Sequence, residues 1–259
     1  METDWIERAN TGDKEALAQL LEAVASPVYR FSHKMCGNRA EADDVTQDTL
    51  LAAAQNMSQF AGHASFQSWV FAIARSVCSR RHRGQKNKPH QPEEKLLTLA
   101  APVSDPESQV LFTEQAQLVQ RGLDVLPPEQ KEILWLRDVE GLSGQETADA
   151  LGLSLEATKS RLHRARSALR QIVSESLAEG PPRPTHACPD VVEMMSRKWE
   201  GDLVVSDCAA MEKHVAACPF CKGRCDGLRQ VLTLCQKIAT ERVPEQIRQK
   251  IRGLLFPLG

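Results

Sequence analysis

The segment 126–170, LPPEQKEILWLRDVEGLSGQETADALGLSLEATKSRLHRARSALR, decides the fold. It divides into three helices. The first opens at Pro127-Pro128, because proline is tolerated in an opening turn, and carries Ile133, Leu134 and Leu136 to Asp138. Gly141 breaks the chain. Ser143 and Glu146 have the spacing of a capping box, so a short helix follows. Gly152 supplies a tight turn, and Ser154 is placed to cap a long third helix. Two short helices, a glycine turn and a basic third helix form the pattern of a helix-turn-helix. The third helix carries Lys159, Arg161, His163, Arg164, Arg166 and Arg170, with Leu155, Leu162, Ala165 and Leu169 as an apolar stripe. One side can pack while the other enters a major groove.

The surrounding chain fits this reading. It has 259 residues, a single Tyr and a net charge of −2, so two or three helical domains are expected and overall charge is no guide to nucleic acid. The charge distribution is a guide, with basic clusters at 75–88 and 159–170. No stretch approaches the roughly 20 apolar residues of a membrane span, and the acidic start METDWIERA is unlike a signal peptide. A cytoplasmic protein is expected. Six of the eight cysteines follow residue 187, which marks a separate C-terminal module built for metal or redox chemistry.

Residues 1–88 read as four helices, with a break or kink at Pro27. In 40–56, AEADDVTQDTLLAAAQN, Val45, Thr49 and Leu50 line an inner stripe while Glu41, Asp44, Gln47 and Asp48 face solvent. A loop around Phe60-Ala61-Gly62-His63 precedes FQSWVFAIARSVCSRRHRG, aromatic at its start and cationic at its end. Residues 89–106 and the proline-rich 179–185 read as linkers.

These segments resemble regions 2 and 4 of the extracytoplasmic-function (ECF) group of sigma-70 RNA polymerase sigma factors. The resemblance implies an all-α protein: region 2 at 1–88, the region 4 helix-turn-helix at 107–178, and promoter binding at −10 and −35. It places Asp43, Asp44, Gln47 and Asp48 on the β′ clamp helices of core RNA polymerase, with the β flap as a second contact. It places Gln59, Gly62, His63 and Ser65, with Arg80, Arg81 and Arg83, on −10 DNA. Melted DNA needs surfaces for unstacked bases and cations for phosphates. Trp69 and Phe71 are expected to hold the loop rather than meet bases. Thr158, Lys159, Arg161, His163, Arg164 and Arg166 are implied to meet the −35 element. Glu156-Ala157-Thr158 stands where the family usually has Gly-Thr-Val, which bears on the −35 sequence read.

From 186 to 259 the core pattern is Cys188, 25 residues, His214, three residues, Cys218, two residues, Cys221. Ser206 is placed to cap a helix carrying His214 and Cys218 one turn apart, and Cys218-Pro219-Phe220-Cys221 brings two sulfurs together. One imidazole and three thiolates make a closed tetrahedral set suited to Zn²⁺, or to Cd²⁺ or copper ions as regulatory ligands. His186, Cys208, Cys225 and Cys235 are further donors for a second or adaptable site. The motif resembles the zinc-binding anti-sigma domain. A sigma factor with such an extension resembles the CorE-like ECF group, which implies metal-dependent activity with no separate anti-sigma factor. A thiol-redox sensor and a simple zinc-containing helix-turn-helix repressor are the alternatives. An enzyme is not expected, since the set has no spare ligand position and no adjacent catalytic Glu.

Overall fold

Helix caps and apolar periodicity account for the elements of the chain. The computed structural model describes residues 2–85, 106–177, 184, 187–238 and 242–256. The described residues are helical, without strands. No helix among them is long and apolar enough to cross a membrane. Contacts divide the chain into two units: Met1–Leu97 with Gln145–Leu153 and Glu241–Gly259, and Thr98–Gly144 with Ser154–Thr240.

In the first unit, α1 (Glu2–Asn10) leads into α2 (Lys14–Cys36). Asp13 caps α2 by accepting from the Glu15 and Ala16 N–H groups, and is itself held by Arg8 at 2.7 Å. The helix runs unbroken through Pro27, where a break or kink was expected. Val24, Val28 and Phe31 are buried on either side of the proline, so packing on one continuous face offsets the lost hydrogen bond. Asn38 caps α3 (Arg39–Gln55), whose Val45, Thr46, Thr49 and Leu50 are buried. A short 3₁₀ turn, Met57–Gln59, and a loop precede α4 (Phe66–Gln85). Phe31 and Phe71 meet edge to face at 5.5 Å in the core formed with α2. The unit also holds most of α7 (Gly144–Leu151) and the C-terminal α12 (Glu245–Leu255), which packs on α2 and α3.

The second unit holds α5 (Pro106–Val125), α6 (Pro128–Leu134), a π-helical turn (Trp135–Val139) and α8 (Leu155–Leu177). Pro128 stands at the first helical position of α6, as expected. The chain does not stay α-helical to Asp138: the Glu140 N–H reaches back five residues to the Trp135 carbonyl at 2.8 Å. At Gly152, φ is +65°, the left-handed turn that leads from α7 into α8. Ser154 caps α8 by accepting from the Ala157 N–H at 3.2 Å. Leu162, Ala165 and Leu169 are buried against α5 and α6. A β-carbon on Gly122 would stand 2.8 Å from Leu169 Cδ1, so glycine there permits the close approach of α5 and α8.

The cysteine-rich module belongs to this unit. It comprises α9 (Val191–Trp199), α10 (Val205–Ala217) and α11 (Pro219–Lys237). Asp190 caps α9 through the Val192 and Glu193 N–H groups. The cap expected of Ser206 is not made. The helix α10 starts at Val205, with Val204 in the cap position, which leaves Ser206 already inside the first turn.

Candidate metal centre and nucleic-acid interface

Helix ends and the module's core assemble the metal centre. Cys188 precedes α9, His214 lies in the last turn of α10, Cys218 caps α11, and Cys221 sits in its first turn. The Cys218-Pro219-Phe220-Cys221 knuckle is thus a helix start with proline at its first position. The ligand atoms of these four residues lie within 4.8 Å of one another. Sγ of Cys188 is 4.0 Å from that of Cys218, and His214 Nε2 is 3.2 Å from Cys221 Sγ. Such spacings suit four donors around one ion with bonds of about 2.0–2.3 Å.

The thiol chemistry differs across the cluster. The Cys221 backbone N–H at the start of α11 donates to Cys218 and holds its thiol below the usual range. Burial, with the Cys188 and Cys218 sulfurs close by, pushes Cys221 up to about 12. A metal ion held there would take Cys221 as its thiolate, so binding would release protons. Around the ligands, Val191, Val192, Met195, Met211, Leu228 and Leu232 form a small core. A core of this size is marginal alone, and a bound ion would add cross-links between its helices.

The further donors behave differently. Cys225 is buried in that same apolar core, with Sγ 4.0 Å from the Val191 carbonyl. Cys235 is fully buried, and Cys208 is half-buried with Sγ 3.6 Å from Glu212 Oε1. None of the three joins the four-residue cluster. His186 lies outside the described residues.

The module grips the basic helix α8. Lys159 Nζ bonds Asp202 Oδ1 at 2.7 Å. Arg166 is only 2 % exposed. Its guanidinium donates to both Asp138 oxygens at 2.9 and 2.6 Å and to Ser196 Oγ at 2.9 Å, and pairs with Glu200 Oε1 at 3.0 Å. The Trp199 ring lies 5.8 Å from its Cζ. Burial alone would lower the Arg166 pKa, but the Asp138 hydrogen bonds and the Asp138 and Glu200 charges outweigh it and hold the charge firmly. Glu200 also accepts from Arg137 Nε at 3.1 Å. Asp138, on the π turn, and Glu200, after α9, thus clamp one guanidinium from two sides. His163 Nε2 stands 3.9 Å from Glu193. Thr158 is buried, its hydroxyl donating to the Ser154 carbonyl at 3.0 Å. Arg161 is half-buried and Arg164 exposed. No role in holding α8 was expected from sequence of Asp138, Glu193, Ser196, Glu200 or Asp202, although the turn Trp199-Glu200-Gly201-Asp202-Leu203 loosely resembles one of the zinc-binding anti-sigma domain.

In the first unit, Gln59, Gly62 and His63 are exposed on the loop before α4. Ser65 Oγ lies 2.7 Å from Ser68 Oγ and accepts from the Ser68 N–H. Phe60 packs on Phe66 and Trp69 at 5.8 and 5.2 Å, so these aromatics brace the loop, as expected of Trp69. Phe71 is core. Arg80 and Arg83 are exposed, while Arg81 bridges Asp44 at 3.0 Å and Asp48 at 2.8 Å. Asp44 and Asp48 are exposed, and Asp43 and Gln47 are half-buried.

Comparison with known proteins assigns this arrangement to a family. The Sigma-70 region 2 family model matches residues 20–88 and the Sigma-70, region 4 model residues 116–169. The ECF RNA polymerase sigma factor SigM of Mycobacterium tuberculosis is 33% identical over 162 residues, covering 62% of this chain and 79% of SigM. SigE of Mycolicibacterium smegmatis, of the same description, is 28% identical over 195 residues, covering 69% and 74%. Among solved structures, the sigma factor RpoE from Bartonella quintana, in complex with the anti-sigma factor NepR, is 25% identical with a TM-score of 0.49, covering 60% of this chain and 95% of that one. The two Sigma-70 region matches and the SigM match make the chain a member of the ECF family of sigma-70 RNA polymerase sigma factors, proteins of transcription initiation.

Proposed function

We propose that this sigma factor is regulated in cis by metal binding to its C-terminal module, without need of a separate anti-sigma factor. One observation carries the reading: the module that holds Cys188, His214, Cys218 and Cys221 also supplies the carboxylates that hold α8. Asp202 neutralises Lys159, Glu193 faces His163, and Glu200 and Ser196 hold Arg166. A helix engaged in this way cannot offer the same cations to −35 phosphates and bases. The module thus occupies α8 as DNA would, with carboxylates in place of phosphates.

The bound ion, Zn²⁺ or a softer competitor such as Cd²⁺ or a copper ion, supplies cross-links between α9, α10 and α11. The chain's own residues do the rest. Asp202, Glu193 and Glu200 hold α8 in the closed form, and their withdrawal frees Lys159 and His163 to join Arg161 and Arg164 at the −35 element. In the first unit, Asp43, Asp44, Gln47 and Asp48 dock on the polymerase clamp, while Gln59, Gly62, His63 and Ser65 meet the −10 element. Such a protein acts in the cytoplasm and is not an enzyme. Because the module is tethered, its effective concentration is on the order of millimolar, so release requires a change in relative affinity rather than diffusion.

The test is run-off transcription with core polymerase and a promoter from the chain's own upstream region. Metal-stripped protein is compared with protein loaded with Zn²⁺, Cd²⁺ or copper ions. Output that differs between ions is the expected result. Equal output in every state would overturn metal regulation and leave the module a structural fold.

A further inference from the structure

The polymerase-docking helix α3 lies beneath the chain's own last helix. Val243, Ile247 and Ile251 are buried on α2 and α3, at 4, 4 and 8 % exposure. The Val243 N–H donates to Ser26 Oγ at 3.2 Å, and Arg248 Nη1 pairs with Glu22 Oε1 at 3.0 Å. Lys250 Nζ donates to Gln47 Oε1 at 3.1 Å. Gln47 belongs to the stripe Asp43, Asp44, Gln47, Asp48 that is assigned above to the polymerase clamp.

We infer that α12 is a built-in competitor for the polymerase-docking face. It fits the face in shape and in charge. Its sequence, EQIRQKIRGLL, puts Ile247 and Ile251 one turn apart on one side, with Arg248, Lys250 and Arg252 against a single Glu245. On that face Glu22 meets Arg248 and Gln47 meets Lys250, while Asp44 and Asp48, in the same α3 stripe as Gln47, are bridged by Arg81. A surface of this kind suits a basic, amphipathic helix, and the partner that replaces α12 on core polymerase should have that chemistry. The contact with Gln47 makes the two occupants mutually exclusive. Core polymerase must displace α12, and its apparent affinity falls by the fraction of molecules in which α12 is docked.

The inference rests on α3 being the docking face, so the experiment tests both. Full-length protein is compared with the double variant Arg248→Glu, Lys250→Glu, and with Ile247→Asp, Ile251→Asp. Each is titrated against core polymerase, with and without Asp44→Ala. The α12 substitutions should tighten core binding by about tenfold, the change that about 1.4 kcal/mol produces. Binding of the isolated −35 duplex should not change. The charge variant leaves the apolar contacts intact, so the two pairs separate release of α12 from damage to α2 and α3. Unchanged or weaker core binding in both pairs would overturn the competitor. Core binding that ignores Asp44→Ala in every background would overturn the docking face itself.

Discussion

Replacing Glu200 with Gln should release α8 for DNA. The Glu200 side chain is 6 % exposed, 3.1 Å from Arg137 Nε and 3.0 Å from Arg166 Nη2. The Arg137 contact is a hydrogen bond between charged groups, of a kind that contributes about 1.5–3 kcal/mol, and the Arg166 contact is an ion pair. Gln keeps one carbonyl acceptor, so one contact survives in neutral form. Arg166 keeps both Asp138 oxygens and Ser196, so no charge is left buried and alone. The closed form should therefore lose about 2 kcal/mol, which shifts its balance with the open form by about thirtyfold. Fluorescence anisotropy with a −35 duplex at fixed salt reads this directly. While the closed form dominates, Kd should fall by up to that factor. Removing a negative charge could also favour DNA by long-range electrostatics, and Glu212→Gln controls for it. Glu212 is an exposed module carboxylate paired with Lys198, away from α8. Its substitution should leave Kd within about twofold, since exposed charges are screened. Equal gains from Glu200→Gln and Glu212→Gln, or no gain from Glu200→Gln, would refute the clamp.

Three further outcomes are expected. Cys218→Ser should lower the number of tightly bound ions by one and remove the ion dependence of transcription, as read by metal analysis and run-off assays. Gly152→Ala has room for its methyl group but forces alanine to φ +65°, so it should cost about 1 kcal/mol and lower Tm by about 2–4 °C. Gly227→Ala, inside α11 with open space at its β-carbon, should instead stabilise the module by about 0.5–1 kcal/mol in a denaturant melt.

The parts of the structure that were legible in the sequence are those that depend on neighbours within a few residues. The cap at Ser154, the turn at Gly152 and the knuckle at Cys218–Cys221 all work over one helical turn. Three members of the four-residue cluster were legible for the same reason, since they fall within eight residues, whereas Cys188 lies far upstream and was marked only by its place just before a helix. What spans the fold left little local trace. Lys159 meets Asp202 across 43 positions, and Lys250 meets Gln47 across 203. A long-range polar contact needs only one suitable group at each end, so it imposes no period and no spacing. Pro27 shows the opposite failure, where a strong local signal yields to a continuous buried face. The surplus cysteines show another: Cys225 is spaced one turn from Cys221 yet serves as a small apolar core residue.

On the proposed function, the order of residues in the module explains why the metal ligands and the residues that mask α8 share one segment. To move a switch from 1:99 to 99:1 takes about 5.5 kcal/mol. The Glu200 contacts alone supply about 2, so a signal acting on one carboxylate would fall short. The four module residues named above against α8, Glu193, Ser196, Glu200 and Asp202, lie between Cys188 and His214. One ion bound by those two residues would close the loop that contains these four contacts. Fixing that loop removes chain entropy for the whole set at once, and releasing it returns that entropy together. The contacts then act as one unit rather than as four independent weak ones, which is how a single coordination event can govern a switch that no single ion pair could hold.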